Sequence, residues 1–259
     1  MNRAGLTVCN MLWIGPALGA LERACIRSVL SQGHRLMLWC YDLPDGVPEG
    51  VELGDASEVV PRTRIIRHHS GSVSLFSNLF RYELQRQGRG TWLDIDHYLL
   101  KPIEGEQPYL LTEDEPGRLN NAVLRTPADS PLLPPLIALF EEKIVPPWLR
   151  PRARVAAHWR RLLTGRTGLS RMPWGSTGPA AITAVARRLG MAGLAAPPDA
   201  YSPVVWENAH WILDPTLGLE EKITPRTIAV HLWNERIKHF KDRPAPAGSF
   251  LARLQAEGA

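Results

Sequence analysis

Phe76 to Pro102 reads FSNLFRYELQRQGRGTWLDIDHYLLKP. Phe76, Leu79, Phe80 and Leu84 recur at helical spacing, so the stretch opens as an amphipathic helix, Phe76 to Gln87, ended near Gly88. Trp92 to Ile95 follows as a short apolar strand that carries Asp94 and Asp96 to its tip. Side chains alternate faces along a strand, so the two acids are expected on one face, with Ile95 turned into the packing. Carboxylates placed like this suit Mg2+ or Mn2+, hard cations that also prefer phosphate and water. Such a cation would bridge the protein to a diphosphate. A bare Asp-x-Asp is also a common solvated turn, and Glu113-Asp114-Glu115 is a comparable acidic cluster in the same chain. The difference is the preceding Trp92-Leu93, which pins the first pair to a sheet edge.

Working outward, Leu6 to Trp13 (LTVCNMLW) reads as a buried strand closed by Gly15-Pro16. Leu18, Leu21, Cys25 and Val29 mark a helix stopped by Gly33, and Leu36 to Tyr41 (LMLWCY) is a second strand, followed by a loop through Gly54. Strand, helix, strand in this order is the βαβ signal of a parallel sheet, so the fold class is α/β. Further on, Tyr109–Thr112, Ala122–Arg125 and Ile228–Leu232 read as strands. Leu132–Ile144, Val155–Leu163, Pro179–Leu189 and Phe250–Gln255 read as helices. At 259 residues the chain is expected to form a single domain, 1–259.

Composition narrows the function classes. Hydrophobic residues make up 44% and charged residues 22%, which is ordinary for a globule, and the formal charge is +4. That excess, mostly arginine between Arg118 and Arg188, suits an anionic ligand or an anionic lipid surface. No nucleic-acid module accompanies it, so nucleic acid is not an expected partner. Cys9, Cys25 and Cys40 lack CxxC pairing and read as small core residues in a reducing compartment. The apolar run in Met1–Ala20 is broken by Asn10, Gly15 and Pro16 and does not read as a signal peptide. No stretch reaches the roughly 18 consecutive apolar residues of a spanning helix. A cytoplasmic location is expected, with peripheral attachment to the inner membrane face compatible with the charge.

Other candidates each carry an ordinary alternative. Arg81, three residues after Asn78 on one helix face, can grip a sugar hydroxyl or a phosphate; helix spacing alone favours a surface arginine in a network with Asn78 and Glu83. Ser176, Thr177 and Gly178 precede a helix whose free amides can hold an anion, and are equally ordinary N-cap residues. His231 ends a late strand, where it is either a neutral imidazole ligand or a packed histidine. Trp13 is either core or a platform for a base. GxxxxGK[ST], GxGxxG after a strand, GxSxG and HExxH are absent, and His68-His69 reads as loop.

Ordered together, these blocks resemble glycosyltransferase family 32, the group with a DxD sugar-binding region that includes bacterial capsular-polysaccharide and α-1,4-galactosyltransferase-like enzymes. The matching segments are Leu12–Asp42, Phe76–Pro102, NNAVLRTPADSPLL (Asn120–Leu133), WGSTGPAAIT (Trp174–Thr183) and HLWNE (His231–Glu235). The resemblance implies a GT-A-type nucleotide-sugar-binding fold with a mostly parallel sheet flanked by helices. It further implies a metal-dependent retaining transfer from a nucleotide-sugar donor, usually a UDP-sugar, to a saccharide or lipid-linked saccharide acceptor. By position, Trp13 would stack on uracil and Arg81 would contact the donor sugar or its phosphate. Asp94 would lie near the ribose and metal, with Asp96 the main ligand of Mn2+ or Mg2+. Gly178 would flank the diphosphate, and His231 would be the C-terminal metal or diphosphate ligand, with Trp233 beside the nucleotide.

One departure matters: relatives carry an aspartate in the FSDLFRY-like block where this chain has Asn78. An amide accepts a hydrogen bond but brings donors and no charge. Two other classes therefore stay open: a nucleotide-sugar-binding protein without transfer activity, and a basic interaction or scaffold protein.

Overall fold

Parallel pairing organises the first half of the chain, as the strand–helix–strand order predicts. The computed structural model describes residues 6–259, so the part of the Met1–Ala20 reading that falls on residues 1–5 lies outside it. The elements in order are β1 (Cys9–Trp13), α1 (Ala20–Ser31), β2 (Leu36–Cys40), β3 (Glu52–Asp55), α2 (Ser74–Arg86), β4 (Thr91–Leu93), β5 (His97–Leu99), β6 (Leu110–Glu115) and β7 (Arg118–Arg125). After them come α3 (Leu133–Ala138), α4 (Pro151–Thr164), α5 (Pro179–Arg188), β8 (Ala195–Ala196), α6 (Pro198–Tyr201), β9 (Ala229–His231), α7 (Asn234–Ile237) and α8 (Phe250–Glu257).

The main sheet has seven strands in the order β3-β2-β1-β4-β7-β6-β8. β3, β2, β1 and β4 are mutually parallel, β7 is antiparallel to both β4 and β6, and β8 is parallel to β6. It is a mostly parallel mixed α/β sheet with helices on both faces. β5 and β9 form a separate antiparallel pair in which His97 stands opposite His231.

One face of the sheet packs α2, α3 and α5 around Phe76, Phe80, Trp92 and Ile182. On the other face Cys9, Met11, Leu36 and Leu38 meet Ile26 and Val29 of α1. A further cluster joins α1 to α8 through Leu21, Cys25, Leu251 and Leu254. All three cysteines are buried and free, as their spacing suggests.

Several boundaries differ from the sequence reading, each for a physical reason. β3 falls in the stretch read as loop. It is a half-exposed edge strand without apolar alternation, and Gly54 is required there because a Cβ would come within 2.5 Å of the Trp39 ring. The helix read over Leu132–Ile144 stops at Ala138 and tightens into a 3-10 turn through Glu141, with Glu142 left-handed at φ 55°. That backbone lets the Glu142 carboxylate accept from the amides of Gly168 and Leu169, at 2.8 and 3.0 Å. α4 outgrows the expected Val155–Leu163, starting at Pro151 and closing on left-handed Gly165.

The largest correction concerns the acids. β4 ends at Leu93, so Asp94 and Asp96 do not alternate along a strand. They lie in a tight turn between β4 and β5, in which the His97 amide donates to the Asp94 carbonyl at 3.0 Å. Nor is the tip open to solvent: Asp96 is 7% exposed.

Candidate metal centre

Where the β4–β5 turn meets the end of β9, Asp96, His97 and His231 come together. Opposite positions in an antiparallel pair project to the same side, so the His97–His231 register places both imidazoles on one face. Their rings stack at 4.2 Å and 26°. His231 Nε2 lies 3.5 Å from Asp96 Oδ2, and His97 Nδ1 lies 3.8 Å from Asp96 Oδ1. One ligand atom from each residue fits within a mutual distance of 4.8 Å. These separations exceed good hydrogen bonds.

Satisfaction of the nitrogens separates this cluster from the chain's structural histidines. His34, also buried, has its Nδ1 3.0 Å from the Thr7 carbonyl and accepts the Ile103 amide on Nε2 at 2.9 Å. His68 is likewise tied to Ser70 and to the Met172 carbonyl, in keeping with its reading as a loop residue. His97, 1% exposed, has no partner on either nitrogen, and His231 has none on Nδ1. Buried polar atoms without partners are rare and costly. A divalent cation between Asp96 and the two imidazoles would occupy His97 Nδ1, one of the unpartnered atoms, and His231 Nε2, so the donor set fits such an ion, while His97 Nε2 and His231 Nδ1 would stay without partners. Two imidazoles with a carboxylate suit a transition metal better than Mg2+, which prefers oxygen ligands.

Electrostatics agree with that donor set. Burial alone would raise the Asp96 carboxyl, but His231, His97 and the Asn234 amide outweigh it and hold the group well below the usual carboxylate range. Burial, reinforced by His231, pushes His97 well below the ordinary histidine range, so it is a neutral imidazole at pH 7, the ligating form. The Asn234 amide reaches Asp96 Oδ2 at 2.7 Å because Trp233 turns the chain in the left-handed region, φ 56°. Such a backbone is uncommon for a bulky residue.

Asp94 occupies a different position. Its Oδ1 accepts from Trp92 Nε1 at 2.8 Å and pairs with Arg81 Nη2 at 2.9 Å, and Arg81 Nη1 reaches Oδ2 at 3.3 Å. Its side chain is 25% exposed and Oδ2 keeps spare acceptor capacity. Burial raises its carboxyl, partly offset by Arg81, with Asp96 adding to the rise.

Arg81 is no surface residue. It is 3% exposed and lies over the Trp92 ring at 4.9 Å. Beyond Asp94, it donates to the Asn121 carbonyl at 2.6 Å, the Ser77 carbonyl at 3.1 Å and Ser77 Oγ at 2.9 Å. Those contacts use all five of its N–H groups. Arg81 therefore acts by holding Asp94, and the grip on a donor sugar or phosphate expected of it has no N–H left to make it.

Asn78 does not bond Arg81 either; the two meet through Asn121. Asn78 Oδ1 accepts from Asn121 Nδ2 at 2.9 Å, and its Nδ2 donates to Thr177 Oγ1 at 3.1 Å. The hydroxyl of Tyr82 completes the group, accepting from Asn121 and donating to the Thr177 carbonyl, both at 2.9 Å. Gly178 closes it from above, since a Cβ there would stand 3.0–3.1 Å from both amides. The cap of α5 is Gly178 without a side-chain bond, so Ser176 and Thr177 are not the capping side chains expected.

Trp13 is half-buried at the end of β1 and its indole N–H has no partner. Trp233 departs from the expectation of a residue beside the nucleotide. It is 6% exposed, donates to the Val204 carbonyl at 2.8 Å and stacks on His231 at 3.7 Å. Its large apolar ring is better buried than wet, and it supports the imidazole instead.

His97 is the residue that sequence reasoning missed. Its signal was available: it follows Asp96 directly and begins the strand that pairs with His231. No described protein family and no curated protein matches the chain in sequence.

Proposed function

We propose that the chain is a metal-dependent, retaining glycosyltransferase of GT-A type. It would move a sugar from a nucleotide-sugar donor, a UDP-sugar, to a saccharide or lipid-linked saccharide acceptor in surface polysaccharide assembly. The observation that carries the proposal is the buried Asp96–His97–His231 cluster with its unpartnered imidazole nitrogens. Its place in the sheet adds support. Strand order reverses between β1 and β4, and ligands of open parallel sheets bind beyond the carboxyl ends of the strands at such a switch point. Trp13 and Asp94 stand at the ends of those two neighbouring strands.

Asp96, His97 and His231 would hold the cation, which when bound supplies positive charge against the diphosphate as the sugar–oxygen bond breaks. Trp13 presents a half-exposed indole to a base. Asp94, oriented by Arg81 and Trp92, offers Oδ2 to a ribose or sugar hydroxyl. Asn78 and Asn121 brace the loop at Gly178. No carboxylate stands out as a covalent nucleophile, so displacement on the face of the departing phosphate is the favoured course.

The test is acceptor-dependent release of UDP across a panel of UDP-sugars with Mn2+. Turnover with at least one donor supports the proposal. Binding of UDP-sugars without release would support a nucleotide-sugar-binding protein, and neither binding nor release would leave an interaction protein.

A further inference from the structure

α4 carries its large apolar residues on the outside. Val155, Trp159, Leu162 and Leu163 recur at i, i+4, i+7 and i+8, which is one helix face. They are 55, 59, 73 and 80% exposed. The side turned to the protein is lined by alanine: Ala157 is the buried residue of the helix, flanked by half-buried Ala153 and Ala156. Ordinary surface helices have the reverse pattern.

Along the sequence, the segment that carries this stripe has charge of one sign. No Asp or Glu occurs from Lys143 to Pro198, whereas α4 alone carries Arg152, Arg154, Arg160 and Arg161. At helical spacing Arg152 falls beside Trp159 and Leu163, while Arg154 and Arg161 lie about a quarter-turn beyond Leu162 and Arg160 beyond Leu163. Among the described residues, Arg154, Arg160 and Arg161 hydrogen-bond only to carbonyls, those of Pro147, Thr167 and Lys143. None of the three forms an ion pair among the described residues.

We infer that α4 is a docking surface for an anionic lipid bilayer, lying in the interface with Trp159, Leu162 and Leu163 among the acyl chains and the arginines on acidic headgroups. An apolar face bordered by arginine and carrying tryptophan is the pattern of an interfacial helix. Nucleic acid would satisfy the arginines but gives Leu162 and Leu163 no apolar surroundings. A second copy packed through the same face would set arginine against arginine. The inference does not depend on the donor or the metal. It does bear on the acceptor, because the segment after α4 runs through Leu169 and Trp174, which line a cleft shared with Asn78 and Thr177. Docking through α4 would hold that cleft near the bilayer, where a lipid-linked acceptor lies.

Co-sedimentation of the full chain with vesicles, without nucleotide or metal, tests this. The protein should pellet with vesicles of equal phosphatidylcholine and phosphatidylglycerol and stay in solution with phosphatidylcholine alone. Leu162→Ser with Leu163→Ser, and separately Arg154→Gln with Arg161→Gln, should each weaken binding at least tenfold. Unfolding curves should stay unchanged, since these side chains are exposed. The inference is overturned if the parent stays in solution with anionic vesicles, or if either double variant pellets as the parent does. Tight binding to transfer RNA that competes with the vesicles and ignores the serine changes would reassign the surface to nucleic acid. A dimer broken by the serine changes, without vesicle binding, would reassign it to self-association.

Discussion

Two acidic corners of the sheet are alike in sequence and opposite in state. At the β6–β7 hairpin Asp114 is buried and fully occupied, accepting a two-pronged pair from Arg118 at 2.7 and 2.9 Å and the Asn120 amide at 2.8 Å. At the β4–β5 turn Asp96 is almost as buried, but takes one backbone hydrogen bond and otherwise faces His231 Nε2 at 3.5 Å and His97 Nδ1, which lacks a partner. The first corner is finished by its own chain, while the second leaves polar atoms without partners, which is where the proposed cation would sit. A cluster of acids is therefore weak evidence of a site until the partners of its oxygens are counted.

The comparison breaks most visibly at Arg81, which makes Asp94 resemble Asp114. Arg81→Met leaves the Asp94 carboxylate with Trp92 Nε1 as its remaining partner and takes the Arg81 donor from the Asn121 carbonyl, and should destabilise the protein by about 3–5 kcal/mol. Urea unfolding measures it. A loss well under 1 kcal/mol would show that Asp94 is not held as described.

Next in size is the open corner itself. With UDP present, Mn2+ at about 100 times its dissociation constant should stabilise the parent by about 2.7 kcal/mol. Asp96→Asn retains an oxygen for the Asn234 amide but loses the charge, so thermal unfolding should show most of that gain gone while the metal-free midpoint changes little. The closed corner should respond the other way round. Asp114→Ala should cost about 1–3 kcal/mol by leaving Asn120 and Arg118 unpaired, yet keep the full response to Mn2+. If Asp114→Ala also abolished that response, the distinction between the corners would fail.

The smallest effect sharpens the same contrast among histidines. Burial lowers His34 below the ordinary value near 6.5, with the Thr7 carbonyl opposing and Arg125 adding to the fall. The folded chain then holds His34 neutral while the unfolded chain takes up a proton. Its contribution to stability is full above about pH 6.5 and declines as pH falls toward the lowered folded value. His34→Gln, which can still accept the Ile103 amide, should flatten that part of the pH dependence of the melting temperature. An unchanged profile would show that His34 titrates normally.

Much of this architecture was legible in Phe76–Pro102 and in the first 41 residues, because buried parallel strands announce themselves as apolar runs between helix stops. The edge strand β3 was not, since Glu52 and Gly54 owe their places to Arg35 and Trp39 rather than to any local pattern. Asp96 and His231 were legible as candidates. The turn that carries the acids was not, because strand alternation says nothing about where the strand ends. His97 escaped notice because its importance lies in the register of β5 against β9, a pairing across more than a hundred residues. Arg81 stood out in sequence as a side chain able to grip a phosphate or sugar hydroxyl. Only packing shows that its N–H groups are already used, and long-range hydrogen bonds to Asp94 and Asn121 have no local signature.

The central claim is that Asp96, His97 and His231 together hold one divalent cation. It is tested most directly by titrating Mn2+ into the protein with UDP while following the electron paramagnetic resonance of free Mn2+, for the parent and for His97→Phe. The account predicts loss of the free signal to one equivalent in the parent and binding at least tenfold weaker in His97→Phe, whose melting temperature without metal should not fall, since a buried ring with two unpartnered nitrogens is replaced by an apolar one of similar shape. Equal Mn2+ binding by the two proteins, or no binding by the parent, would contradict it.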